Sequence, residues 1–512
     1  MDRAVSFGDP LMKRFLLFLA ALALAAAARA DLPAGAAIGA LTVAGNHAFK
    51  DADLIRESAL KTGDVYAPEA ELVGARLVRS YYQRHGYLEA DVSVSSEPAP
   101  GTLNIRFNVT EGPLYHFGEI KIEGLDALPR RIITLTSTFK PGDPYVRTKL
   151  FDMQSKLYGR GLFESVEIRA TTTTTKTADV VVRVKERQLK WIKGGVGWGS
   201  EEHERLSLTL IHENLFHRAY HGEFTSTLSA IWREDRLDFI NPFFFETHTE
   251  QRTSLSWRRE IQPGYELERT RGETGLGRDL TRHTKGNVAL RIDRNHVANV
   301  SPDVAATTPQ VTDGRSVALG LNRDTSDDYF FPSKGTRDVL SYERFGDFLG
   351  GSIDMNRVVF DSTHYFPVYR KVVLATAFRS GYSQPYGSSE DIPVFERFFI
   401  GGANSVRGYA ERSVGDRDST DAPLGGKRRL GSSVELRFPL FWKFRGAAFV
   451  DGGQVSNRWA TVAPHFWKFS AGGGIRLLTP VGPFRLDAGY KLNRDATDTE
   501  LWRLHFSVGE AF

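Results

Sequence analysis

A short motif, Val406-Arg407-Gly408-Tyr409, carries the residue types that point most directly to a function. It lies between the predicted strands KVVLATAFRSGY and LGSSVELRF, in a connection of roughly forty residues, whereas loops typically have about 4–6. A central arginine at a glycine-assisted turn in so long a loop predicts a segment that folds back into an interior. Because an unpaired buried charge is costly, the guanidinium of Arg407 would need carboxylate partners there.

Two carboxylates on neighbouring predicted strands are candidates for that partnership. In SSVELRF, Glu435 alternates with Val434 and Leu436, and in AAFVDGG, Asp451 follows Val450. If the apolar side chains face lipid, both acidic side chains point inward, where a charge-assisted fork to Arg407 is expected. The alternative is an ordinary exposed hairpin loop whose charges are solvated.

The sequence after Gln188 has the pattern of a membrane β-barrel. Stretches of about ten residues, such as NVALRID and FRLDAGYKL, alternate apolar and polar side chains, as strands do when one face meets lipid and the other meets water. A soluble β-sandwich would instead bury its apolar face. We count about sixteen candidate strands, an even number as single-chain barrels require. The pattern predicts an antiparallel transmembrane β-barrel over residues 188–512, with an inward-folded loop near residues 386–430.

The first and last predicted barrel strands form a candidate weak seam. The first strand, KWIKGGVGWGS, has three glycines on its lumen face: Gly195, Gly197 and Gly199. Interior glycine weakens a strand, and this strand must pair with the C-terminal strand to close the barrel. A weak seam would open sideways and template a client strand; alternatively, the glycines relieve crowding beneath the loop. The other side of the seam is predicted at Phe506, Val508 and Phe512.

Residues 31–187 contain two copies of one small α+β unit. Gly63-Asp64-Val65-Tyr66 recurs as Gly142-Asp143-Pro144-Tyr145, and the landmarks keep their order, as repeated modules do. Each copy opens with a strand, continues with two helical stretches and closes with two strands. This β-α-α-β-β order resembles the POTRA domain, and we place two such domains at residues 31–112 and 113–187. A short sheet edge of this kind can accept an extended client strand.

The first thirty residues predict an export signal. Met12-Lys13-Arg14 precedes the apolar run FLLFLAALALAAAA and a small-x-small cleavage site at Ala28 and Ala30. Residues 1–30 would then be removed, and either Met1 or Met12 would be the initiator. The alternative is a retained N-terminal membrane anchor.

Composition argues against several other classes of protein. Lys and Arg number 66 against 62 Asp and Glu, a net charge of +4, which is too small to suggest a nucleic-acid partner. The absence of cysteine excludes disulfides, thiolate metal sites and cysteine nucleophiles. The string HENLFH has its histidines at i, i+5 rather than at the i, i+4 spacing of a zinc protease helix. We therefore expect neither an enzyme nor a cofactor.

Four longer strings carry a family resemblance. The segments RFFIGGANSVRGYAERSVGDRD, GSSVELRFPL, AAFVDGGQV and AGGGIRLLTPVGPFRLDAGY resemble the BamA/TamA superfamily of outer-membrane assembly factors, and the GG-x-x-SVRGY core is most similar to the TamA-like branch. The resemblance implies a barrel in the outer membrane, POTRA domains in the periplasm and pairing of Arg407 with Glu435 and Asp451. TamA-like proteins usually carry three POTRA domains, whereas this chain has two.

The resemblance implies a non-enzymatic factor that assembles outer-membrane proteins and autotransporters. It would bind unfolded outer-membrane or secreted clients in the periplasm and insert them into the lipid bilayer at the seam. An inner-membrane-anchored periplasmic protein is a further expected partner. The alternative is a two-partner secretion transporter, which would export an exoprotein through the lumen and shares the two POTRA domains and the loop motif. Such transporters usually carry a plug helix and linker, for which residues 31–39 are too few.

Overall fold

The computed structural model describes residues 36–173, 175–457, 466–479, 482–495 and 498–508. The predicted signal segment with Ala28 and Ala30, and the C-terminal Phe512, lie outside the described residues. The helices are α1 (Asp51–Glu57), α2 (Pro68–Arg84), α3 (Arg131–Thr136), α4 (Arg147–Gly159) and α5 (Pro302–Ala305). No helix among the described residues is long and apolar enough to cross a membrane.

The strands before the barrel are β1 (Ala37–Ala44), β2 (Asp91–Ala99), β3 (Thr102–Thr110), β4 (His116–Glu123), β5 (Phe163–Thr172) and β6 (Thr177–Glu186). The barrel strands are β7 (Lys190–Gly199), β8 (His203–Leu215), β9 (Tyr220–Ser229), β10 (Trp232–Asn241), β11 (Thr249–Gln262), β12 (Tyr265–Thr281), β13 (Thr284–Ala298), β14 (Val311–Asp324), β15 (Gly335–Phe345), β16 (Met355–Tyr369), β17 (Val372–Pro385), β18 (Arg428–Pro439), β19 (Arg445–Ser456), β20 (Lys468–Thr479), β21 (Gly482–Lys491) and β22 (Trp502–Val508).

The strands before the barrel form two three-stranded sheets of the same topology. The first sheet has the order β1-β3-β2 and the second has the order β4-β6-β5. In each sheet the first strand runs parallel to the third, and the second runs antiparallel to it. Helices α1 and α2 precede β2, and α3 and α4 precede β5. The β-α-α-β-β order predicted from the sequence is therefore confirmed.

Helix α2 buries a narrower stripe than its apolar pattern suggests. Ala75, Val78 and Tyr82 are buried against the first sheet. Leu72 and Leu77, which the spacing also placed on the apolar face, are 48% and 37% exposed. The buried residues are spaced i, i+3 and i+7, and a residue one position off such a stripe is rotated about 100° away from it.

The barrel is one closed sheet of sixteen strands, β7 to β22, in which β22 pairs with β7. Its outer face is apolar: Val288, Leu290 and Ile292 of β13 are 39%, 50% and 62% exposed. Ala289 and Asp293, which have the opposite parity, are buried. A closed sheet with an exposed apolar band fits a lipid environment, because every strand is paired and no edge is left. The predicted transmembrane β-barrel is confirmed.

The long connection between β17 and β18, residues 386–427, folds back onto the inner wall of the barrel. It contains a 3-10 turn at Val394–Glu396 and isolated bridges that join Phe398 to Gly426 and Ile400 to Val414. Its centre is buried in an apolar cluster of Ile400, Val406, Tyr409 and Val414, against which Val455 packs. A loop with its own core is positioned well enough to carry a site.

Gly124 ends the first strand of the second sheet in a conformation that other residues rarely adopt. Its φ is +85°, and a Cβ at this position would lie 2.0 Å from the carbonyl oxygen of Val184. Gly45 is equivalent in the first sheet, with a φ of +81° and the same conflict with Val109. Gly142, in the turn before α4, has a φ of +90° but no atom within 4 Å of a Cβ.

We expect Gly124→Ala to destabilise the second small domain more than Gly142→Ala does. Both variants strain a left-handed backbone, at about 1–2 kcal/mol, but only at Gly124 must a neighbouring carbonyl also move. Hydrogen exchange of the β4 and β6 amides in the full chain should be faster in Gly124→Ala than in Gly142→Ala. Equal protection in the two variants would show that the close approach to Val184 is unimportant.

Candidate functional site

Arg407 is the centre of a buried ionic network inside the barrel. Its Nε and Nη2 donate to the two carboxylate oxygens of Asp451 at 2.7 and 2.8 Å, and its backbone N–H donates to the same carboxylate at 3.2 Å. Its Nη1 donates to Glu435 at 2.5 Å. Arg407 is 4% exposed, Glu435 7% and Asp451 0%. The structure thus brings both predicted carboxylates to Arg407, and the two-pronged fork is to Asp451.

A third carboxylate, Asp487 of β21, was missed from the sequence. Its Oδ2 lies 3.5 Å from Nη1 of Arg407, and it accepts from Arg476 at 2.9 Å and from Arg485 at 2.8 Å. The parity argument that selected the other two carboxylates applies equally to Asp487, which follows Leu486 in FRLDAGYKL. The alternation of side chains along β21 predicts that Asp487 points inward. It does not predict which strands the loop contacts.

The guanidinium of Arg407 is also covered by an aromatic ring. Its Cζ lies 3.4 Å from the centroid of the Phe449 ring, a cation–π arrangement. Charge, hydrogen bonds and packing are therefore all provided inside the protein. Removing one partner of such a buried pair typically costs about 3–5 kcal/mol, because it leaves an uncompensated charge.

The remaining motif residues connect the loop to the last strands. Val406 is fully buried in the apolar cluster of the loop. The hydroxyl of Tyr409 donates to the backbone carbonyl of Asn493, between β21 and β22. The backbone carbonyl of Arg407 accepts from Nε2 of His505 in β22, at 2.8 Å. The motif therefore contacts the strands that lead to the barrel seam.

Glycines provide the space for the motif to lie flat on the wall. A Cβ on Gly489 of β21 would come within 2.2 Å of the carbonyl oxygen of Arg407. A Cβ on Gly408 itself would come within 2.7 Å of the Ser470 side chain. Both positions need glycine for lack of room, whatever their backbone angles.

A second ionic anchor, at Glu396, holds the start of the loop. Its carboxylate lies 2.5 Å from Nη2 of Arg269 in β12 and 2.7 Å from Nη2 of Arg357 in β16. Burial alone would raise the pKa of Glu396, but these guanidinium groups and that of Arg271 hold it at about 2. The sequence analysis missed this residue, whose only signal is a charge inside the apolar run PVFERFF.

The seam joins the two ends of the closed sheet. In the described residues, Ser507 pairs with Gly199 and Val508 pairs with Trp198. The Trp198 and Phe506 rings lie 5.4 Å apart on the outer face. The structure thus brings Gly199, Phe506 and Val508 together at one junction.

Three of the four glycines of β7, Gly195, Gly197 and Gly199, lie on the inner face of the strand. Gly195 and Gly197 are half-buried, whereas Ile192 and Val196 are 78% and 70% exposed. A Cβ on Gly197 would lie 3.1 Å from the carbonyl oxygen of Val508. The glycine face of β7 therefore lies against the backbone of β22.

Within the described residues, no group of three or more His, Asp or Glu side chains is placed to hold a metal ion. His212 lies within β8 and His217 lies in the turn that follows it, so the HENLFH string is not helical.

Family models agree with this architecture. The model described as "Omp85 superfamily domain" matches residues 214–512, and the POTRA model, described as "Surface antigen variable number repeat", matches residues 36–112 and 115–187. This chain belongs to the Omp85 superfamily. The resemblance to the BamA/TamA superfamily, with two POTRA domains before a sixteen-stranded barrel, is confirmed. As an Omp85 protein of this type, the chain has its barrel in the outer membrane and its POTRA domains in the periplasm.

The chain is similar in sequence to BamA proteins, and its fold is similar to those of BamA and CdiB. The outer membrane protein assembly factor BamA of Nitratidesulfovibrio vulgaris is 24% identical over 470 residues, covering 88% of this chain and 58% of that protein. The chain therefore spans less than two thirds of this relative. The crystal structure of BamA from Haemophilus ducreyi lacking POTRA domains 1–3 has a TM-score of 0.73 at 19% identity and covers 92% of this chain and 99% of the other. The structure of CdiB from Escherichia coli has a TM-score of 0.58 at 16% identity, and the match covers 94% of this chain and 91% of CdiB.

The periplasmic location of the POTRA domains determines which end of the barrel faces the outside of the cell. Because β7 follows the periplasmic POTRA domains in the chain, it begins at the periplasmic side. The turn after β7 and the loop at residues 386–427 therefore lie at the extracellular end of this Omp85 barrel, since strands alternate in direction.

We expect Gly489→Ala to loosen the loop, because the added methyl group displaces the carbonyl of Arg407. Gly473→Ala, on neighbouring β20, is the matched control, since a Cβ there meets only the Ala447 carbonyl oxygen at 3.4 Å. Protease sensitivity of the loop and the heat-modifiability of the folded barrel on gels measure the effect. Both readouts should change in Gly489→Ala and stay as in the wild type in Gly473→Ala. If the two variants behave alike, the loop does not depend on this close approach.

Proposed function

We propose that this protein is an assembly factor that inserts outer-membrane proteins and autotransporters into the bilayer at the seam between β7 and β22. The observation that carries the proposal is the construction of that seam. One edge strand presents glycines to its partner, and the other edge strand is held from inside by the backbone of the Arg407 motif. A junction held by a few local contacts can open while the rest of the barrel stays paired.

The opened edges would template a client by strand addition. An exposed edge offers unpaired N–H and C=O groups, and an incoming strand satisfies them. The client then supplies the driving force by burying its own apolar face in lipid. The proposed activity therefore involves no covalent chemistry and no cofactor.

The POTRA sheets provide a first binding surface for unfolded clients. Strands β2 and β5 each pair on one side only, with β3 and β6 respectively. Along β2, Val92 and Val94 alternate with more exposed polar residues, so an added strand would continue the half-buried face. An inner-membrane-anchored periplasmic partner, and a place in the TamA-like branch, remain further parts of the proposal, supported by the GG-x-x-SVRGY core.

A two-partner secretion transporter is the alternative, and the two POTRA matches favour it. Such a protein would pass its client through the lumen, which the loop at residues 386–427 partly fills. Export would therefore require release of both anchors, Arg407 and Glu396. Insertion at the seam requires neither.

Depletion of the protein in its native host tests the proposal. A census of the outer membrane should then show loss of a set of β-barrel proteins or autotransporters. Loss of one secreted exoprotein with an unchanged outer-membrane census would favour secretion and overturn the assembly role.

A disulfide across the seam should block client insertion. Gly199→Cys and Ser507→Cys occupy directly opposed positions, and opposed residues of antiparallel strands lie within disulfide reach. The chain has no cysteine of its own, so no other disulfide competes. Client insertion by the oxidised protein, measured in lipid vesicles, should fall to background and recover on reduction.

The matched control places the disulfide between two strands away from the seam. Ser207→Cys and Thr227→Cys are opposed in β8 and β9, and their disulfide should leave insertion unchanged. Full insertion by the oxidised seam variant would rule out sideways opening as the route.

A further inference from the structure

A cluster of ionisable side chains joins both edge strands of the seam to the loop. Glu201, in the turn after β7, accepts from the backbone N–H of Ala403 in the loop at 2.7 Å. The same oxygen lies 3.1 Å from Nδ1 of His505 in β22. The other ring nitrogen of His505 donates to the carbonyl of Arg407. The turn after β7, the loop and β22 are therefore joined through the side chains of Glu201 and His505.

A second carboxylate, Glu411 of the loop, lies beside Glu201. A Cβ on Gly402 would collide with an oxygen of each carboxylate, so glycine leaves room for the pair. Two neighbouring carboxylates favour sharing one proton, because both cannot be ionised at low cost. Burial and the charge of Glu201 raise the pKa of Glu411 to about 8. The pKa of Glu201 is lowered, because its contacts with His505, Glu411 and the Ala403 amide outweigh its burial.

Few other charges compensate Glu411. The adjacent Arg412 is directed elsewhere, since it donates to the Tyr265 hydroxyl at 2.7 Å and lies over the Phe399 ring. His505 faces Glu201 from β22.

A cavity of about 230 Å³ that Glu411 lines is also lined by Arg379, Arg429 and Asp361. Arg429 is paired with Asp361 at 2.9 Å. On the other side, Arg485 donates to the Ala403 carbonyl at 2.6 Å.

We propose that Glu201, Glu411 and His505 form a proton-dependent latch that holds the extracellular end of the seam closed. The latch would regulate opening of the seam between β7 and β22, so this inference rests on the proposed function. With Glu411 protonated, its carboxyl donates to Glu201, which in turn holds the loop amide and faces His505. When Glu411 loses its proton, the two carboxylates repel each other and the loop separates from the turn after β7.

The sign of the pH effect follows from the direction of the shift. A carboxyl whose pKa is raised in the folded state favours the closed arrangement at low pH and loses this contribution as pH rises through about 8. The ratio of open to closed protein should therefore rise by up to about tenfold between pH 7 and pH 9.

Spin labels on either side of the seam measure this opening without any client. Glu204→Cys in β8 and Leu504→Cys in β22 are both exposed positions in a chain without other cysteines. Pulsed electron–electron distance measurements on the full chain in lipid vesicles should show a longer-distance population that grows between pH 7 and pH 9. In Glu411→Gln, which keeps the neutral form, this population should stay small at every pH.

Two further variants keep the test decisive. Glu201→Gln removes the like charge and leaves only burial to raise the pKa of Glu411, so the pH step should move to lower pH, a result that does not depend on the folding of Glu411→Gln. Glu202→Gln, on the same turn but paired with Arg205 at 3.0 Å, should keep the wild-type step.

A pH-independent distance in the wild type, or a wild-type step in Glu411→Gln, would overturn the latch. Client insertion at pH 7 by unlabelled protein is scored separately. Loss of the proposed function and loss of the latch are therefore distinguishable.

Discussion

The rest of the site depends on a single buried charge. The guanidinium of Arg407 lies among Asp451, Glu435 and Asp487, with the Phe449 ring beneath it. A buried charge is tolerated only when its partners are complete. The loop backbone around Arg407 is therefore confined to one position on the wall. From that position its carbonyl reaches the last strand, and the loop contributes to the seam.

The loop and the inner wall of the barrel each contribute both positive and negative side chains to the two ionic anchors. The loop supplies the cation at Arg407 and the anion at Glu396, and the wall supplies carboxylates at the first and arginines at the second. Anchors of opposite sign favour one orientation of the loop, because a reversed loop would place like charges together. The glycine at position 489 then lets the loop backbone touch the wall. These contacts hold the loop against the inner wall of the barrel at two separate points.

Strand periodicity predicted the barrel, its approximate strand number and the inward direction of Glu435 and Asp451, because side chains alternate strictly along a strand. The same rule applies to Asp487. That β21 lies close to the loop, however, follows only from closure of the barrel, which brings together residues far apart in sequence. Glu396 and Glu411 lie in an irregular loop, where no periodicity exists to interpret. Glu201 lies in a turn, and its link to His505 arises only when the ends of the sheet meet. Helix α2 buries a narrower face than its apolar residues span, because apolar spacing alone does not show how much of a helix a three-stranded sheet can cover.

A double-mutant cycle on Arg407 and Asp451 tests the central claim most directly. Arg407→Met, Asp451→Asn and the double variant would be compared by urea unfolding of the barrel folded into lipid vesicles. The account predicts a coupling free energy of about 2 kcal/mol or more, because either single change leaves a buried group without its partner. Effects that add to within about 0.5 kcal/mol would show that the two residues act independently and would contradict the account.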